Sequence, residues 1–115
     1  LTDWELVIVD DGSTDDTPAV VRSFLADTRI RYHRSDRLGV SRAKNLAWRL
    51  SSADAIAFLD ADDEWMSDKL ERQLAILDSN PAVGVVFSRR ELIDEESRPL
   101  PTPPRTPWPR GRVLP

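Results

Sequence analysis

Cysteine is absent from the 115 residues and histidine occurs once. Without cysteine there are no disulfides, no thiolate zinc sites and no cysteine nucleophile, a composition that fits a reducing compartment. His33 lies among arginines in a strand-like segment and reads as a surface residue, not a catalytic base. No apolar run is long enough to cross a bilayer, and no signal-peptide pattern opens the chain. An overall basic field is missing as well: sixteen Lys and Arg face twenty Asp and Glu, a net charge of -4, which argues against nucleic acid or anionic lipid as partner. The chain opens on Leu1 and stops at "GRVLP" without a helix cap, so it is expected to be a piece of a longer protein.

What is present fits one small α/β domain, or part of a larger one, with 40% hydrophobic residues. "WELVIVD" (4–10) is a near-continuous aliphatic run, the pattern of a strand covered on both faces. "DGSTDDTPAVVRSFLAD" then offers a Gly turn, Pro18 for a first helical turn, and apolar Val20, Val21, Phe24 and Leu25 for an amphipathic helix. "RIRYHR" alternates like a short strand with one polar face. A second helix is expected from about Val40 to Ser51, opened by Gly39 and Ser41 and carrying Val40, Ala43, Ala47 and Leu50 on one face. "AIAFLD" reads as a short buried strand and "SDKLERQLAILDSNP" as a third helix, with the stripe Leu70, Leu74 and Leu77, a capping box from Asp68 to Glu71, and Pro81 at its close. "VGVVFS" reads as a further strand. This order predicts an open, mostly parallel, Rossmann-like sheet flanked by helices.

From Arg98 the composition changes, because 98–115 holds seven of the nine prolines. Such a stretch continues neither a helix nor a central strand, and it reads as a connecting arm. Its P-x-x-P at Pro101 and Pro104 has the form of a groove-docking tract, but the arm reading is preferred. Residues 1–97 and 98–115 are therefore the expected divisions. "ELIDEES" reads as a polar hairpin.

In an open parallel sheet, ligands bind beyond the carboxyl ends of the strands. "VDDGSTDDT" and "LDADDEW" both leave expected strands there, so Asp10, Asp11, Asp60, Asp62 and Asp63 are expected on one rim. Crowded carboxylates repel, and a hard cation such as Mg²⁺ or Mn²⁺ relieves that repulsion while keeping positions open for phosphate oxygens. Against this stands the plain reading of a solvated acidic helix lead-in. Asp60 and Asp62 form a D-x-D, which on an extended segment points both side chains to one side.

"WELVIVDDGSTDDT", "GVSRAKNLAW" and "AIAFLDADDEWMSDKLERQLAIL", in that order over 4–88, resemble the donor-binding half of the inverting glycosyltransferases of family 2, which have the GT-A fold. The resemblance implies Asp11 at the nucleotide base, Asp10 shaping the same turn, Asp60 near ribose and diphosphate, and Asp62 as metal ligand. It also implies that Gly39, Ser41, Arg42, Lys44 and Asn45 lie near the nucleotide and diphosphate. Lys44 stands where Arg is usual, which keeps the charge and loses the planar fork; Arg42 is the candidate to compensate. Members of the family have a preceding "PTYN"-like strand in mid-sheet and a following acceptor-binding half with the catalytic base. Neither is found here, so the sheet is expected to be incomplete, the general base to lie outside this chain, and the piece alone to be inactive.

The implied reaction is transfer of a sugar from a nucleoside diphosphate sugar, a UDP-sugar by the family's usual preference, to a saccharide, lipid or protein hydroxyl. Mg²⁺ or Mn²⁺ would neutralise charge on the departing diphosphate. The expected location is the cytoplasm, with membrane association at the inner face only through other parts of the protein. Two alternatives come from other classes. "DDGSTDD" partly matches a D-x-S-x-S adhesion-type metal site, except that Asp15 occupies the second Ser position. "FLDADD" suggests an aspartyl-nucleophile phosphohydrolase, but Glu64 and Trp65 follow where Thr or Val is wanted.

Overall fold

The computed structural model describes residues 2–101. Its element order is β1 (Leu6–Asp10), α1 (Thr17–Arg22), β2 (Ile30–Arg34), α2 (Val40–Leu50) and α3 (Lys69–Ser79). β1 and β2 pair in parallel through α1, with Leu6 opposite Ile30 and Asp10 opposite Arg34. The result is an α/β arrangement, a two-stranded parallel sheet flanked by helices, as an incomplete Rossmann-like domain would have. The chain divides into a unit ending at Gly84 and a second beginning at Val85.

α2 packs on β1, and a polar clasp fixes its far end. Glu5 accepts hydrogen bonds from the hydroxyls of Ser51 and Ser52, both at 3.1 Å, and pairs with Arg31 at 2.7 Å. Arg31 also donates to the Leu50 carbonyl. That carbonyl is one of the groups a helix C-terminus leaves without an internal partner, and Arg31 supplies both the donor and the charge that suits the negative end of the helix.

α1 is shorter than the sequence pattern suggests. After Arg22 the backbone tightens into three-residue bonds, Ser23 to Val20 at 3.1 Å and Phe24 to Val21 at 3.0 Å. Ser23 reinforces the change by donating its hydroxyl to the Val20 carbonyl at 2.6 Å. Of the four expected apolar positions only Val21 is buried, and Phe24 remains 58% exposed. α3 keeps its stripe, Leu70, Leu74 and Leu77 all being half-buried. Its expected capping box does not form: Asp68 makes no side-chain cap bond and pairs with Arg72 at 2.7 Å.

Two expected strands are corrected. Residues 55–60 and 83–88 are irregular, and neither joins a ladder among the described residues. A strand exists only where a neighbour about 4.8 Å away takes its hydrogen bonds, and β1 has β2 as its single described partner. Apolar composition alone cannot supply that neighbour, so Ile56, Phe58 and Leu59 stay exposed.

In the second unit the polar hairpin is present. Ile93 bridges Pro99 antiparallel, and Asp94 closes the turn by accepting the Glu96 and Arg98 amides at 3.0 and 2.9 Å. Residues 102–115, most of the expected arm, lie outside the described residues. No helix among the described residues is long and apolar enough to cross a membrane.

Candidate functional site

Parallel register brings β2 beside the first acidic cluster. Asp10 is a buried charged residue, 4% exposed, and charge without water must be matched by donors. It accepts the Ser13 amide at 2.7 Å, the Tyr32 hydroxyl, and Arg34 Nη1 at 2.9 Å. Arg34 Nη2 reaches on to the Ser13 carbonyl at 2.7 Å, so one guanidinium spans the whole turn. The Tyr32 hydrogen bond leads, followed by Ser13, in pulling the Asp10 carboxyl from 3.8 to about 2, and the Tyr32 phenol rises in turn.

Asp11, next along, faces a different loop. Its Oδ1 accepts the Ser35 hydroxyl at 2.8 Å and the Leu38 amide at 2.6 Å; its Oδ2 accepts the Gly39 amide at 2.7 Å. The Leu38 amide is the foremost cause of its lowered pKa. Asp11 thereby ties the end of β1 to the entrance of α2. The two loops approach closely enough to need Gly12, whose φ is +84° and where a Cβ would sit 3.0 Å from Arg37 Cγ.

α2 carries the basic residues toward the second cluster. Lys44 Nζ lies 2.7 Å from Asp60 Oδ1 and 3.0 Å from Asp60 Oδ2, so the single ammonium bridges both carboxylate oxygens. The D-x-D is a turn closed by the Asp63 amide on the Asp60 carbonyl at 3.1 Å. Asp62 is exposed, as is Arg42, and neither has a partner among the described residues. The two acidic clusters thus both engage α2, one at its entrance and one at Lys44. They do not merge: among the described residues no three His, Cys, Asp or Glu side chains gather into a ready-made metal cage.

Sequence reasoning singled out Asp10, Asp11, Arg42, Lys44, Asp60 and Asp62, and it missed Tyr32, Arg34, Ser35 and Glu5. Arg34 and Tyr32 looked like alternating members of a short strand with one polar face. The signal that they matter is the parallel pairing itself, which sets Arg34 opposite Asp10.

Fold and site together define an α/β protein with an acidic turn beside a cationic helix. Glycosyl transferase family 2 matches over residues 1–112, and the chain belongs to that family. It is 36% identical over 95 residues to the UDP-Glc:alpha-D-GlcNAc-diphosphoundecaprenol beta-1,3-glucosyltransferase WfgD of Escherichia coli, which covers 82% of this chain and 37% of that protein. A putative teichuronic acid biosynthesis glycosyltransferase, TuaG of Bacillus subtilis, is 34% identical over 99 residues, covering 84% of this chain and 39% of its own length. The validoxylamine A glucosyltransferase of Streptomyces hygroscopicus subsp. jinggangensis is 50% identical over 62 residues, 52% of this chain and 15% of the relative. The chain therefore spans well under half the length of these relatives. No solved structure matches. The family is one of glycosyl transferases, not of adhesion modules or phosphohydrolases.

Proposed function

We propose that the protein transfers a sugar from a nucleoside diphosphate sugar, a UDP-sugar, to an acceptor hydroxyl with inversion, and that residues 1–97 bind the donor. Residues 98–115 then connect toward an acceptor-binding half that supplies the general base. The observation that carries the reading is Lys44 astride Asp60 with Asp62 free beside it. One ammonium and one open carboxylate are what a cation-bound diphosphate needs from protein: a donor to its oxygens and a ligand to its metal. The UDP-Glc in the name of the Escherichia coli relative supports the choice of nucleotide, and the diphosphoundecaprenol in the same name supports a lipid-linked acceptor.

The residue open to Mg²⁺ or Mn²⁺ is Asp62, an exposed carboxylate with no partner among the described residues. Mg²⁺ commonly takes one or two carboxylates and fills its sphere with water and substrate phosphate, so Asp62 alone would be a sufficient protein ligand. The bound ion would supply Lewis-acid neutralisation of the leaving diphosphate. Lys44 would hold diphosphate oxygens and add positive charge where negative charge develops, and Arg42, two residues earlier near the start of α2, would add to that field. Asp10 and Asp11 build the end of β1 against which the nucleoside lies.

Calorimetry on the full chain tests this. UDP should bind with Mn²⁺ present and not without it, and Asp62→Ala should abolish that binding. Unchanged affinity in Asp62→Ala would remove the metal assignment, and failure of the wild type to bind UDP under either condition would remove the donor assignment.

A further inference from the structure

Asp11 has both carboxylate oxygens engaged by the loop that leads into α2. The bonded groups sit at the start of the helix, where order propagates. The Gly39 amide donates to Asp11, and the Gly39 carbonyl accepts the Ala43 amide at 3.0 Å, the first bond of α2. Lys44 follows Ala43 and meets Asp60. The loop is not one that would hold itself: Gly39 has φ 86° and ψ 156°, and Arg37, a non-glycine residue, has φ 48°. Conformations of this kind persist when surrounding bonds over-determine them, and here three bonds to a single carboxylate do so.

We propose that Asp11 is a positioning residue: by gripping the Leu38 and Gly39 amides it fixes the entrance of α2 and so keeps Lys44 against Asp60, where the donor diphosphate is bound. The inference rests on the donor-binding reading above and deepens it. A carboxylate that served only to read the nucleobase would matter to the uridine end of the ligand. A carboxylate that sets α2 matters to the diphosphate end, although Asp11 itself touches no part of that site.

Inorganic pyrophosphate with Mn²⁺ isolates the diphosphate end, so the test compares it with UDP in the full chain. Asp11→Ala should weaken pyrophosphate and UDP by a similar factor, about tenfold or more, because displacement of a binding group by even about 1 Å is costly. Amide exchange at Leu38 and Gly39 should speed up by about tenfold or more in the same variant. Asp11→Asn, which keeps the shape and one acceptor oxygen, should recover part of both effects and serves as the readout where the alanine variant does not fold. Wild-type binding with unchanged pyrophosphate affinity in the variants overturns the proposal alone, as does unchanged exchange at the two amides. A wild type that binds neither ligand overturns the donor reading and the proposal with it, while the exchange measurement still reports on the clamp.

Discussion

Asp10 keeps its charge where water does not reach it, and three donors explain how. Its carboxyl falls from 3.8 to about 2 in the fold, so the folded state binds its proton more weakly than the unfolded chain does. The resulting stabilisation is complete above the unfolded value and is lost as pH falls through the folded one. In the full-length protein the thermal midpoint should therefore hold steady down to about pH 4 and drop between about pH 4 and 2, a window set by those two values. Carboxyl-carbon NMR should show Asp10 titrating near the bottom of that window, and in Asp10→Asn the drop should be shallower; a midpoint near the ordinary aspartate value would contradict the geometry. Asp10→Ala should cost about 1.5–3 kcal/mol in denaturant unfolding, since it strips hydrogen bonds made to a charged group. Only part of this was local: the Ser13 amide is three positions on, but the other two residues that hold Asp10 are 22 and 24 positions away and arrive through strand register.

At the scale of elements, legibility followed locality. α2 and α3 appear within a residue or two of where periodicity placed them, because helix bonds close within the segment that carries the pattern. The segments at 55–60 and 83–88 were apolar enough for strands and did not become strands, because a strand's bonds belong to its neighbour. α2's start was legible in Gly39, yet the reason is backbone shape more than space. Gly39 lies in a region of φ and ψ that only glycine occupies readily, and a Cβ added there meets nothing within 4 Å. Gly39→Ala should thus carry a purely backbone cost of roughly 1–3 kcal/mol. Gly12→Ala should cost more, because strain is joined by contact with Arg37 at 3.0 Å. Denaturant unfolding of both variants in the full-length protein checks the order; a Gly39→Ala as costly as Gly12→Ala would show that the loop around Gly39 is tighter than the distances above allow.

Taken whole, the described residues lack the burial that a free-standing domain needs. Val21 is the one buried hydrophobic side chain among them, while Phe58, Phe87, Trp48 and Met66 are each more than half exposed. β1 is paired on one side alone among the described residues, which leaves backbone donors and acceptors along a strand edge. Apolar surface of that extent in water favours association, and chain entropy of roughly 1–2 kcal/mol per ordered residue finds little burial to oppose it. The 115 residues expressed alone should accordingly bind a hydrophobic dye, unfold without a sharp transition and self-associate at micromolar concentration. In a longer chain that carries the rest of the family domain, the amides of 55–60 should gain exchange protection as the segment finds a strand neighbour. A monomeric 115-residue chain with a cooperative transition would show instead that the clasp of Glu5 and Arg31, the Asp10 turn and the Asp11 clamp hold the fold by polar contacts without a core.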